Sequence, residues 1–261
     1  SNGRNNPLTW IKNVIDAAPY ALFAHEYRDV MVLGMGVDRP GDMQRLTQWI
    51  KPDVVVVTRL PDVPVHVEFF NSPQEVIDEK MILVEALKPD GVFIYNNDDE
   101  KMHPYVEAIR QQSFGFSRYS PSHFTASGDI VLYDGSTPMG MEFTLTHVDE
   151  SFKVQVHGSL GIQHVYTFAA ACAVGSLFDI PLKDAVTALS QFAPPPGRMR
   201  IISGVQNTVI LDDTYNSSPV ACQHALQTLS ELHSRGRRIA VLGDMLELGQ
   251  YSVREHERIG E

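Results

Sequence analysis

The sequence predicts an α/β fold: a mostly parallel sheet with flanking helices, a small antiparallel sheet after it, and then the beginning of a second α/β unit. Three observations carry that prediction. Short apolar, β-branched runs alternate with amphipathic stretches, which is the pattern of parallel strands joined by crossover helices. Residues 114–157 switch to period-two alternation punctuated by turn residues, the signature of antiparallel strands. The stretch "QFAPPPGRMR" at 191–200 then sets three prolines and a glycine in a row; they cannot continue a helix and make a stiff connector, so a boundary falls between 1–196 and 197–261.

Taken in order, an amphipathic stretch over 8–18 predicts a helix, and the apolar run at 30–33 predicts a buried strand. The strand runs into "GMGVDRPGDM", with Pro40 at the first turn of a helix over 42–50. "DVVVVT" at 53–58 is the next strand. Ser72-Pro73-Gln74-Glu75 is a capping-box start for a helix over 73–87, whose apolar stripe is Val76, Ile77, Met81, Val84 and Leu87. "GVFIY" at 91–95 is a strand followed by a helix over 102–111. After the period-two block come helices over 165–178 and 182–192, then strands over 208–212 and 238–242.

The bulk numbers exclude several classes. With 261 residues and 43% hydrophobic content the chain can bury a full core. A formal net charge of −11, from 32 acidic and 21 basic residues, argues against nucleic acid or an anionic membrane as the main partner. Two cysteines, Cys172 and Cys222, each in an apolar helical stretch, make no disulfide framework and fit a reducing, cytoplasmic setting. No apolar run approaches the roughly 20 residues that span a bilayer, so no membrane insertion is expected. Because "SNGRNN" opens abruptly and "REHERIGE" stops inside a helical pattern, the chain is expected to be a fragment.

Several residues carry candidate chemistry. The Gly34-Gly36-Gly41 loop lacks the Lys and Ser/Thr of a phosphate-binding G-x-x-x-x-G-K-[ST] loop and the spacing of G-x-G-x-x-G, so by residue chemistry it is a strand-to-helix connection. Lys80 lies four residues from Val76 and from Val84, on the apolar stripe. Either it snorkels to water, or it is desolvated with a lowered pKa and able to add CO₂ as a carbamate. His66 is either a surface histidine or a metal ligand. "YNNDDE", with Asn97, follows a strand where open α/β sheets bind ligands, yet the same residues build ordinary turns. Arg198 and Asp213 either clamp a nucleotide, phosphate on one and ribose on the other, or are a linker arginine and a helix-capping aspartate.

"DDTYNSSP", followed by "RIAVLGDMLELG" and His256, resembles the Mur ligase family, and "VLGMGVDRPGDM", "HVEFFNSPQEVIDEK", "NNDD" and "PPPGRMR" fall in that family's order. The resemblance covers nearly all of the chain from Val30 onward. It implies a central ATP-binding domain over 1–196, without the family's phosphate loop, and the start of a Rossmann-like C-terminal domain over 197–261. It implies ATP- and Mg²⁺-dependent amide formation in peptidoglycan synthesis, adding D-alanyl-D-alanine to UDP-MurNAc-tripeptide through an acyl phosphate, by a monomer. Without the phosphate loop the chain alone is expected to be inactive. By position, His66 matches the family's metal-site histidine and Lys80 its carbamylated lysine. Arg198 and Asp213 match nucleotide-contacting positions, and Asn216 a position near the nucleotide or the closure hinge. The family's adenine-side His-Asn-x-x-Asn appears as Gln163-His164-Val165-Tyr166-Thr167. Gly34 replaces the family's magnesium-binding Glu, and Thr58-Arg59 its Thr-Asn. Two other readings are a folylpolyglutamate- or cyanophycin-synthetase-like ligase, and a non-catalytic paralogue that binds a UDP-linked precursor or a partner.

Overall fold

The computed structural model describes residues 11, 12, 15, 29–234 and 236–261, in two compact units, 1–35 and 36–261. The helix expected over 8–18 lies almost wholly outside the described residues.

Within 36–261 the elements run α1 (Asp42–Trp49), β1 (Val54–Val57), α2 (Pro73–Glu85), β2 (Val92–Asn96), α3 (His103–Ala108), β3 (Gln112–Ser117), β4 (Phe124–Asp134), β5 (Thr137–His147), β6 (Glu150–His157), α4 (Ile162–Ser176), α5 (Leu182–Leu189), β7 (Arg200–Ser203), β8 (Val209–Asp212), α6 (Pro219–Glu231) and α7 (Ser252–Gly260). Strands β1 to β6 form one sheet in chain order. The first three ladders are parallel and the last two antiparallel, so the hairpin block continues the parallel sheet. The stretch 114–117, grouped by period with the hairpins, belongs instead to β3 and pairs in parallel with β2. That pairing also ends the helix expected over 102–111 early, at Ala108.

Period two explains how the sheet is covered. In "GVFIY", Phe93 faces α2 with Ile77, Met81, Val84 and Met102, whereas Ile94 faces α4 with Phe116, Phe168 and Ala169. Both are fully buried. At about 25 cal/mol per Å² of apolar surface, each side chain contributes roughly 1.5–3 kcal/mol. The small residues Ala169, Ala170 and Ala173 let α4 approach the sheet closely. Helix α2 starts as expected, with Ser72 Oγ accepting the Glu75 N–H at 3.3 Å. The returning Glu75 carboxylate takes the Asn71 N–H at 2.9 Å.

Two expected strands are absent. Residues 30–33 and 238–242 are irregular, with Val32 88% and Val241 92% exposed. A strand exists only through its ladder, and neither run has a neighbouring strand among the described residues. The 208–212 strand forms as β8 and pairs antiparallel with β7. That hairpin is tied back to the sheet's end: Ile201 N–H donates to Gly158 O at 2.8 Å and Leu160 N–H to Met199 O at 3.2 Å.

Candidate functional site

The loop at 38–42 is a connection and no phosphate cradle, because its own helix uses its donors: Asp42 Oδ2 accepts the N–H groups of Arg39 at 2.7 Å and Asp38 at 3.2 Å. Gly41, not Pro40, precedes the helix, and having no side chain it leaves the cap to Glu79 of α2, which accepts the Met43 N–H at 2.8 Å. The loop docks on the turn that holds His66, with the Arg39 guanidinium 3.4 Å above the Phe69 ring.

His66 adopts a left-handed φ of 72°, a sparsely populated conformation for a residue with a Cβ. Its Nε2 lies 3.4 Å from Asp38 Oδ1. Its Nδ1 is buried 2.5 Å from Glu247 Oε2 but makes no hydrogen bond there. Glu247 belongs to "GDMLELG", which folds against this turn through Glu68 N–H to Glu247 O at 3.3 Å. Met245 and Leu248 of the same stretch pack with Cys222. His256 fastens it, accepting the Met245 N–H on Nε2 at 3.0 Å while Nδ1 faces Ser252 O at 2.7 Å.

Lys80 has the opposite surroundings. It lies on the α2 stripe, makes no ion pair or hydrogen bond among the described residues, and burial pulls its pKa below the ordinary lysine value. Magnesium prefers an octahedron of oxygens. The described residues contain no cluster of three or more His, Cys, Asp or Glu side chains, and Gly34 offers no carboxylate, so these residues do not fit a bound magnesium ion as they stand.

"NNDD" is a built turn. Asp98 accepts from the N–H groups of Arg118 at 2.6 Å, Tyr119 at 3.1 Å and Ser120 at 2.8 Å, and from Tyr166 Oη at 3.0 Å. Burial, and then the Asp98 charge, raise the Tyr166 pKa. Asn97 spends its amide on Pro121 O at 2.9 Å and borders an open cavity of about 500 Å³ lined also by Tyr95, Ser122, His123 and His147.

The remaining candidates gather around the β7–β8 hairpin. Arg198 is exposed, its guanidinium 4.0 Å from the centre of the Tyr215 ring. Asp213 accepts the Met199 N–H at 3.1 Å, and partial burial raises its carboxyl pKa. Gly197 is required: its φ is 72°, and a Cβ there would sit 2.7 Å from Tyr215 N. Asn216 is exposed and its Oδ1 accepts the next residue's N–H at 2.9 Å. His164 is only 6% exposed, with Nε2 2.6 Å from Ser159 Oγ, and burial lowers its pKa to about 4. Thr167 is exposed and its hydroxyl donates to Gln163 O at 2.7 Å.

The family model for the Mur ligase middle domain matches residues 12–175, more than half of the chain, and that for the Mur ligase glutamate ligase domain matches 197–261. The chain belongs to the Mur ligase family. Among curated Mur ligases it is similar to the UDP-N-acetylmuramoyl-tripeptide–D-alanyl-D-alanine ligase of Bacillus subtilis (strain 168), 29% identical over 90% of this chain and 49% of that one. The ligase of the same name from Escherichia coli (strain K12) is 30% identical over 89% of this chain and 50% of that one. The chain thus spans about half the length of the curated relatives it matches. Among solved structures, MurF from Acinetobacter baumannii superposes with a TM-score of 0.76 at 25% identity, covering 87% of this chain and 47% of that one. MurF from Thermotoga maritima in complex with ADP gives 0.69 at 24%, covering 85% and 49%, and supports the fold.

Against this Mur ligase background the structure brings Arg198 and Asp213 together and joins them to His164 through Ser159 and Met199. Among the described residues no hydrogen bond joins His66 to Lys80. Sequence reasoning missed Ser159 and Tyr215 as participants. Tyr215 stood inside the quoted "DDTYNSSP", whereas Ser159, a lone serine after a strand, carries no signal.

Proposed function

We propose that this chain is the nucleotide-facing part of an amide ligase of peptidoglycan precursor synthesis, divided at 196/197, that adds D-alanyl-D-alanine to UDP-MurNAc-tripeptide at the expense of ATP. The observation that carries the reading is the juxtaposition on one hairpin of an exposed guanidinium on an aromatic ring and a fixed carboxylate, Arg198, Tyr215 and Asp213. It suits the phosphates and ribose of a nucleotide. The names borne by the similar ligases of Bacillus subtilis and Escherichia coli support the choice of substrates.

In this reading the γ-phosphoryl group passes to the tripeptide carboxylate, giving ADP and an acyl phosphate. The free amine of the dipeptide then attacks the acyl carbon, and phosphate leaves as the amide forms. Arg198 binds nucleotide phosphate, Asp213 accepts from ribose, and Asn216, His164, Thr167 and Asn97 complete or support the nucleotide surface. Lys80, desolvated and without a counter-charge among the described residues, adds CO₂ to its neutral amine with loss of a proton and becomes a carbamate anion, the group that, with His66, would take the family's metal role. Mg²⁺, when bound, would neutralise charge on the transferring phosphoryl oxygens; the described side chains build no cage for it. The enzyme works as a cytoplasmic monomer.

The test is an assay with ATP, Mg²⁺, UDP-MurNAc-tripeptide and D-alanyl-D-alanine, run on the 261-residue chain and on the whole product of the reading frame that contains it, the extended protein. The expected result is pentapeptide product and ADP from the extended protein, and none from the shorter chain. Arg198→Ala in the extended protein should raise the KM for ATP. A second reading, a non-catalytic Mur-like binder, is favoured by one observation, Gly34 at the family's carboxylate position. ATP binding without turnover in the extended protein would select it.

A further inference from the structure

Ser159 is fully buried at the end of β6, and its hydroxyl lies within hydrogen-bond distance of three atoms: His164 Nε2 at 2.6 Å, Met199 O at 2.9 Å and Arg198 O at 3.1 Å. A hydroxyl has one hydrogen, and carbonyl oxygens only accept. The network therefore has one direction that satisfies every member: His164 Nε2–H donates to Ser159 Oγ, and Ser159 O–H donates to the carbonyls at 198–199. Met199 is held from both sides. Its carbonyl also accepts the Leu160 N–H at 3.2 Å, and its own N–H donates to Asp213 Oδ1 at 3.1 Å.

What these bonds hold is a strained point. Met199 has a φ of 50°, left-handed for a residue with a side chain, and that side chain is buried. Such a conformation persists only when its surroundings over-determine it. Directly before it stands Arg198, whose guanidinium meets the Tyr215 ring, and Gly197, whose carbonyl accepts the Tyr215 N–H at 3.2 Å. Phe192, on the way into the proline connector, packs 5.8 Å from the His164 ring.

We infer that Ser159 and His164 are positioning residues: through the backbone of Met199 they fix Arg198 and Asp213 in the arrangement that receives the nucleotide. The inference deepens the proposed function and rests on it for the identity of the ligand. The clamp itself is a property of the chain and is measurable without nucleotide. Because His164 is turned to Ser159, it acts behind the nucleotide surface.

The experiment uses ¹⁵N-labelled 261-residue protein. In the wild type, the His164 nitrogen shifts should report the Nε2–H tautomer, and the Arg198 Nε–H signal should carry a ring-current shift that Tyr215→Leu removes. Ser159→Ala and His164→Leu should release the Arg198 signal toward its random-coil position. His164→Gln, whose amide keeps a donor at similar reach, should restore it. Alongside, ATP affinity measured in the extended protein should fall about tenfold in Ser159→Ala and in His164→Leu and stay near the wild-type value in His164→Gln, a factor equal to about 1.4 kcal/mol. An Nδ1–H tautomer in the wild type overturns the inference without any variant, as does an unmoved Arg198 signal in folded Ser159→Ala. If the signal is released but the extended protein binds no ATP, the clamp stands and the nucleotide reading fails.

Discussion

Lowering the pH should expose the cost of keeping His164 neutral. Burial against Phe168 and Phe192 lowers its pKa to about 4 in the folded chain, while in the unfolded chain it returns to about 6.5. Between those values the unfolded chain binds a proton that the folded chain refuses, so the contribution is intact above pH 6.5 and is lost as pH falls toward 4. At about 1.4 kcal/mol per pH unit, the gap corresponds to about 3.4 kcal/mol, of which about 2.5 kcal/mol is gone by pH 4.5. Carboxylates titrate in the same window, so the comparison must be with His164→Gln, which keeps a donor and cannot be charged. Urea unfolding followed by far-ultraviolet circular dichroism at pH 7.5 and 4.5 gives the two losses. The wild type should lose about 2.5 kcal/mol more than the variant. Losses agreeing within about 0.5 kcal/mol would refute the buried, neutral His164 and, with it, the direction of the Ser159 network.

Three other outcomes follow from the geometry. Gly197→Ala should cost about 2–3 kcal/mol in urea unfolding, because a Cβ meets the Tyr215 backbone in a left-handed conformation; a cost under about 0.5 kcal/mol would mean that the hairpin's junction can shift. Asp98→Ala should cost about 3 kcal/mol by leaving the Arg118, Tyr119 and Ser120 N–H groups without their acceptor, and it should free the Tyr166 hydroxyl to ionise at a lower pH in an ultraviolet titration. Lys80 should show a carbamate carbon resonance in ¹³C-bicarbonate that grows with pH as the neutral amine accumulates and is absent in Lys80→Arg. No signal in the wild type at pH 8.5 would leave Lys80 a plain buried lysine.

How much of this was legible in the sequence depends on the range of the interaction responsible. The capping box of α2 and the strand "GVFIY" are local signals, and both formed as read; that the strand buries both faces shows only in the packing. Strand β7 was not read, because "RIIS" is four residues without alternation and becomes a strand through its partner β8. The reverse holds at 30–33 and 238–242, where strong β-propensity finds no ladder among the described residues. At the site, Arg198 and Asp213 could be named from the motifs that contain them. Their spacing in sequence says nothing of Met199, whose left-handed backbone joins them, or of Ser159, which holds that backbone from the far side of the connector. Asp98 was visible only as turn chemistry, and its four partners come from two later segments.

His66 and Lys80, paired by family resemblance, stand in different surroundings. His66 sits between the carboxylates of Asp38 and Glu247. Lys80 sits on an apolar stripe that disfavours its own charge and offers no partner. A site that needs both as ligands of one cation requires His66 to give up its carboxylates and Lys80 to acquire a negative charge. Only the second change can come from Lys80 itself, since the neutral amine adds CO₂ and the carbamate inverts its sign. The first depends on Glu247, carried by the stretch that docks on the His66 turn. Carbamate formation at Lys80 and release of His66 from Glu247 are therefore separable events. A Glu247→Gln variant should leave the Lys80 carbamate signal unchanged, and a change in that signal would show that the two sites are coupled in the folded chain.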